Sequence, residues 1–194
     1  MNTITNLKDH VELRSGYSFR GRIESSDDGE HRAIQLKDVD IEQGISYKEL
    51  IQTTLPGRAP SMLVQNDDLL FVARGNKNYA ICVQGVSSPM VASQHFIHIR
   101  IKSPKKLLPE YLAWYINYSL QAQKYFRQGA QGTALRSITR SMIEAMPLEV
   151  PSVKVQQKII DLHQVHLHER TLLRKLLENN FKTHTALSNQ LLNQ

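Results

Sequence analysis

The loop Gln128-Gly129-Ala130-Gln131-Gly132-Thr133-Ala134-Leu135-Arg136-Ser137-Ile138 is soon followed by Met146-Pro147-Leu148-Glu149-Val150-Pro151. From Ser152 to Gln194 there is then neither Gly nor Pro. This order predicts a globular body that ends at a proline-bounded hinge and continues as one long helix, with Ser152 as its N-cap. About 40 helical residues span ~60 Å, more than a body of this size needs, so the helix is expected to serve a partner. A helix folded back on its own body is the alternative. One heptad frame places Ile159, His166, Leu173, Asn180 and Leu187 at a, and Leu162, Glu169, Leu176 and Thr183 at d. The seam is half polar, too weak for a parallel two-stranded coiled coil, and Leu172 and Leu177 widen it as in a helix with several neighbours.

Upstream of the loop, Pro109 and Glu110 open a helix whose apolar stripe is Leu112, Tyr115, Ile116, Leu120 and Phe126, stopped by Gly129. Ser141 and Glu144 have capping-box spacing for a short helix before Pro147. The first half reads as strands. Residues 32–41 alternate into a turn, Asn66 to Gly75 is a turn and a buried strand, and Ala80 to Val86 is a further short strand. His95 to Lys102 alternates strictly, which predicts a half-buried strand with a basic outer face. Strands followed by helices make the expected body α+β.

The chain has 194 residues and a formal net charge of +6, and the distribution of that charge is informative. Residues 1–73 carry 8 Lys/Arg and 12 Asp/Glu, residues 74–140 carry 10 and 1, and the remainder carries 6 and 5, or −4, +9 and +1. The middle segment has the asymmetry of a polyanion binder, and a solvated basic face is its bland reading. Three Gly-containing polar loops supply candidate contacts. They are Ser18 to Arg22 with Arg20 and Arg22, Arg74 to Asn78 with Arg74, Asn76 and Lys77, and 129–140 with Gln131, Thr133, Arg136 and Arg140. Gln and Arg read base edges by paired hydrogen bonds, whereas Lys, Ser and Thr commonly hold phosphates.

Catalytic patterns are weak. No acidic residue is followed two positions later by Lys, so a metal-nuclease core is not indicated. Asp67-Asp68 reads as a metal pair or as a turn before a strand, with the turn favoured. His163 and His166 are neighbours at helical spacing but lack Cys or carboxylate partners at ligand spacing. Gly129-Ala130-Gln131-Gly132 lacks the Lys-Ser/Thr ending of a phosphate loop. Neither a metal site nor a catalytic residue is therefore assigned. The single Cys82 and the lack of a run of about 18 apolar residues fit a reducing cytoplasm and no membrane span.

Several pieces, in this order, resemble the specificity subunit of type I restriction-modification enzymes. They are Ser15-Gly16-Tyr17-Ser18-Phe19, Ile34-Gln35-Leu36-Lys37-Asp38-Val39, Asn66 to Gly75, Ser93 to Arg100, Pro109-Glu110-Tyr111-Leu112, the glycine loop ending in Ile138, and Met146 to Pro151 followed by Val155-Gln156-Gln157-Lys158-Ile159. The resemblance implies a target-recognition domain over 1–150 and a helical spacer and dimerisation arm over 151–194. Family members usually carry two of each, and this sequence shows one of each. The implied assembly is a homodimer of half-subunits on a bipartite double-stranded DNA site, joined through Ile159, Leu162, Leu173, Leu176, Asn180 and Leu187, the arms antiparallel. Methyltransferase subunits holding S-adenosylmethionine, and restriction translocase subunits, are the implied partners, this chain binding no cofactor itself. A decoy that occupies the methyltransferase without directing it is the rival expectation.

Overall fold

Leu69, Leu70, Phe71 and Val72 are all buried, so this strand has apolar neighbours on both faces and needs no polar alternation. The computed structural model describes residues 4–55, 57, 63–74, 77–129 and 138–193. In chain order it contains β1 (Ile4–Asn6), β2 (Val11–Ser15), β3 (His31–Ile34), β4 (Val39–Asp40), β5 (Gly44–Ile45), β6 (Ile51–Thr53), β7 (Leu69–Val72), β8 (Ala80–Cys82), β9 (Met90–Ala92) and β10 (Phe96–Ile101). There follow α1 (Pro109–Tyr118), α2 (Leu120–Gly129), α3 (Arg140–Glu144), β11 (Pro147–Glu149) and α4 (Val153–Leu192). This is the expected α+β arrangement with a long C-terminal helix.

Four strands form an antiparallel sheet in the order β2-β10-β7-β8, and a second sheet has the order β6-β3-β9 with β3 and β9 parallel. One face of the first sheet contributes Leu70, Val72, Ile81 and Phe96 to a core shared with Ile34, Met90 and Ala92 of the second. On the opposite face Phe71 meets Phe126 of α2, ring centroids 5.6 Å apart. The two sheets and the helices thus enclose β7 from both sides.

Four sequence expectations change. The Met146–Pro151 segment is not a hinge, because Pro147, Leu148 and Glu149 pair antiparallel with Asn6, Thr5 and Ile4. The predicted continuous helix from Pro109 breaks at Ser119, which is extended and whose Oγ accepts from Ala122 N at 3.1 Å, so a second helix starts there and Leu120 is exposed. The short helix before Pro147 is capped by Thr139, whose Oγ1 accepts from Met142 N, while Glu144 binds Arg140 instead of closing a capping box on Ser141. Finally, the 96–101 strand has no basic outer face, since His98 is only 2% exposed.

The chain divides into two compact units, 1–157 and 158–194. The first turn of α4 belongs to the first unit. There Gln156, fully buried, accepts from Leu108 N at 2.8 Å through Oε1 and donates through Nε2 to the carbonyls of Lys106 and Pro151, both at 2.8 Å. Its buried amide therefore keeps its hydrogen bonds, as burial requires.

Candidate nucleic-acid interface

Strand register brings one end of the four-stranded sheet together. Ser15 lies opposite Ile97 and Val72 opposite Phe96, so the residues that follow β2 and β7 and precede β10 gather there. Gly16 N donates to Phe96 O at 3.0 Å and Tyr17 N to Ala92 O at 2.7 Å. A Cβ on Gly16 would lie 2.0 Å from Ser93 O, so this approach needs glycine. Ser18 Oγ donates to Gln94 Oε1 at 2.9 Å. From the other side, Ala73 N donates to His95 O at 3.0 Å, and Asn78 Nδ2 donates to the carbonyls of Val72 and Ala73. The Ser93-Gln94-His95 turn thus supports two of the three loops expected to bind DNA.

Both loops hold their cations outward. Phe19 is buried with Ala33 and Val91, and Tyr17 meets it edge-on at 4.8 Å, so Arg20 and Arg22 start from an anchored aromatic and are exposed. Arg74 and Lys77 are also exposed. Asn76, Gln131, Thr133 and Arg136 lie outside the described residues. Arg140 is described, but on α3 beside the Leu7–Asp9 turn and β2, and its Nε pairs with Glu144 Oε1 at 2.8 Å. Gln94 and His95 were not among the sequence candidates. A polar triplet between two apolar strands was the available signal for a turn, but only strand pairing shows which loops it supports. Ser93 Oγ and His95 Nδ1 are buried there with no hydrogen-bond partner among the described residues.

Not all of the basic segment is available to a ligand. Arg100 donates through Nε and Nη2 to the two oxygens of buried Asp68, both at 2.7 Å, and His98 Nε2 lies 2.7 Å from the same carboxylate. Burial pushes the Asp68 carboxyl up, but the bonds from Arg100 and His98 together outweigh it and hold it below its usual range. Asp68 is therefore a structural anion, and Asp67 is the turn residue, at φ 69°.

Asp67, Cys82 and Glu110 have ligand atoms within 4.8 Å of one another. Asp67 already accepts from Gln84 Nε2 at 2.7 Å, and burial, followed by Glu110, pushes the Cys82 thiol up to about 12. No metal is assigned to this group, whose Asp67 carboxylate already has a protein donor. On α4, His163 is half-buried and its pKa is lowered by that burial and by His166. His166 Nδ1 is 3.9 Å from Glu169 Oε2.

Within the second unit the residues expected to join two chains form an exposed stripe. Leu162 is 72% exposed, Leu173 53%, Leu176 55% and Leu187 57%, and Asn180 is also exposed. Ile159 is half-buried. No helix among the described residues is long and apolar enough to cross a membrane.

Residues 5–179 match the family described as type I restriction modification DNA specificity domain. No curated protein matches the chain significantly. Among solved structures, the S subunit of a type I restriction-modification system from M. genitalium is 15% identical, with a TM-score of 0.55 over 94% of this chain. The HsdS subunit from Thermoanaerobacter tengcongensis is 14% identical, with a TM-score of 0.59 over 89% of this chain. A chain from a study of complex assembly and conformational transition of the type I R-M system is 16% identical, with a TM-score of 0.59 over 92%. At these identities the likeness is one of fold. The chain spans 43%, 39% and 41% of those three chains, respectively.

Proposed function

The chain belongs to the family of type I restriction-modification DNA specificity domains, and on that premise we propose that it recognises double-stranded DNA and directs a methyltransferase to it. The observation that carries this reading is the Ser93–His95 turn, from which two exposed basic loops emerge side by side. Arg20 and Arg22 hold phosphates, and Arg74, Asn76 and Lys77 form a second contact. Gln131, Thr133 and Arg136 reach base edges or the adjacent phosphates. The 1–150 region is the target-recognition domain and 151–194 the spacer. Two chains pair through α4, and identical heads read a two-fold symmetric, split site. Methyltransferase subunits dock on this guide, carry S-adenosylmethionine and perform the chemistry, and restriction subunits join the same assembly. Within this proposal the chain itself catalyses nothing.

The test is to combine the purified chain with methyltransferase subunits of the same host on a randomised DNA library, and to map the methylated positions. Methylation confined to a symmetric split motif supports the reading. A partner held in a stable complex that methylates no sequence identifies a decoy and overturns it. Light scattering then checks the pairing, with a dimer expected for the natural chain and a monomer after Leu173→Asp with Leu176→Asp.

A further inference from the structure

Gln94 lies between the two basic loops at one end of the four-stranded sheet, and its carboxamide is only half used. We propose that Gln94 reads the adenine of an A·T pair in the major groove, with Ser18 orienting its amide and the cations of the flanking loops holding phosphates. This inference rests on the DNA recognition proposed above and names a base-reading residue for it.

The placement follows from strand order. β10 lies between β2 and β7, so the turn that precedes β10 lies between the loops that follow the other two. Neighbouring strands are about 4.8 Å apart, which starts those loops about 10 Å from each other, close to the ~12 Å width of a major groove. Residues 16–22, 73–78 and 93–95 together contain Arg20, Arg22, Arg74 and Lys77 and no carboxylate. Phosphates held by cations on either side set the register of the duplex and leave the turn between them to meet base edges.

Within the turn only Gln94 is exposed. Ser93 is 4% exposed, and its carbonyl accepts from Phe96 N at 3.0 Å. His95 is half-buried with its Nδ1 covered, and its carbonyl accepts from Ala73 N. Gln94 Oε1 accepts from Ser18 Oγ at 2.9 Å, and Gln94 Nε2 donates to nothing among the described residues. A tether for the 16–22 loop does not account for this bond. That loop is already fastened by Gly16 N and Tyr17 N, and a hydroxyl–amide bond exposed to water adds little. The bond instead orients the amide, with Oε1 toward Ser18.

Oε1 keeps its second lone pair, and Nε2 keeps both hydrogens. In the major groove adenine presents the N7 acceptor beside the N6 amino donor, which one carboxamide meets with both of its ends. Guanine presents two acceptors and sets one of them against Oε1. Cytosine offers only a donor, and thymine only an acceptor beside its methyl group, so each leaves one end of the amide unpaired.

The experiment selects duplexes from a randomised library with the full chain bound to methyltransferase subunits of the same host. It compares the natural chain with Gln94→Ala, Gln94→Glu and Ser18→Ala. Gln94→Ala should lower the preference for adenine at one position of the half-site by about 5- to 150-fold, the range of one bidentate base contact, and leave other positions as they were. Gln94→Glu, whose side chain carries only acceptors, should move that position toward cytosine, whose N4 amino group donates. Ser18→Ala should relax the same position and no other. Weaker binding of Gln94→Ala to every sequence alike makes Gln94 a positioning residue and overturns the proposal. So does a relaxed position that is not adenine. Should Gln94→Ala fail to fold by urea denaturation, Gln94→Glu and Ser18→Ala decide the same point. A natural chain that selects no motif removes the DNA recognition itself, whereas a natural motif that Gln94→Glu leaves unaltered removes this assignment alone.

Discussion

Replacing Asp68 tests whether the buried polar cluster is what holds the end of β7 to β10. Asp68 is 2% exposed and accepts four bonds of 2.7 Å, from Arg100 Nε, Arg100 Nη2, His98 Nε2 and Gln65 N. Asp68→Ala strands a half-buried guanidinium, a buried imidazole and a backbone N–H. Breaking a buried ion pair by removing one partner costs about 3–5 kcal/mol. The Arg100 side chain keeps 31% exposure and rehydrates in part, so the lower end applies, about 3 kcal/mol. For a chain of this size that lowers Tm by about 6–12 °C. Asp68→Asn keeps the shape and loses the charge, at about 2 kcal/mol.

The pH dependence has a definite sign. The folded carboxyl lies below its ordinary value, so its stabilisation is complete above the unfolded carboxylate pKa of about 3.9 and is lost as pH falls through the folded value. Urea denaturation of the natural chain and of Asp68→Asn at pH 7 and pH 3 should therefore show a gap that narrows in acid. A variant Asp68→Ala within about 1 kcal/mol of the natural chain at pH 7 would refute the assignment of Asp68 as the hub, as would a gap that widens in acid.

Gly16→Ala forces a Cβ against the Ser93 carbonyl and should cost about 1–3 kcal/mol by denaturation. It should also weaken DNA binding, since both loops share that turn. Gln156→Ala strands Leu108 N and two carbonyls and should cost about 2–3 kcal/mol, whereas a change at an exposed neighbour on the same helix, Lys154→Ala, should be near neutral. With its pKa near 12, the Cys82 thiol should resist iodoacetamide at pH 8 in the folded chain and react once urea unfolds it. If Arg74 and Lys77 hold phosphates, each alanine variant should weaken binding equally on all DNA sequences and reduce the salt slope by about 1 in a titration; a change in sequence preference would make them base readers.

Much of the architecture was legible locally. The apolar run of β7, Pro109 at the start of α1, and the long stretch after Ser152 without Gly or Pro each specify an element through backbone preference and side-chain period, which depend on near neighbours alone. The break at Ser119 was harder to see, because the helical period runs across it and a single N-cap hydroxyl marks it. The segment Met146–Pro151 misled for a related reason. Its prolines suggest a boundary, and nothing nearby in sequence shows that β1, more than 140 residues earlier, completes a strand pair there.

The functional surface divides along the same line. Its residue types, Arg and Lys in Gly-containing loops and leucines in a repeating stripe, are properties of composition and spacing, so the sequence by itself determined which kinds of side chain each region offers. Which loops stand together, and which cations are already neutralised, was decided by tertiary structure alone. Asp68 and His98 are 30 residues apart, and Ser18 and Gln94 are 76 apart. Hydrogen bonds reach only a few ångströms, so a pairing across such separations exists only after strand register has brought the groups together. The apolar periodicity of several strands sets that register jointly, and no one of them encodes it alone.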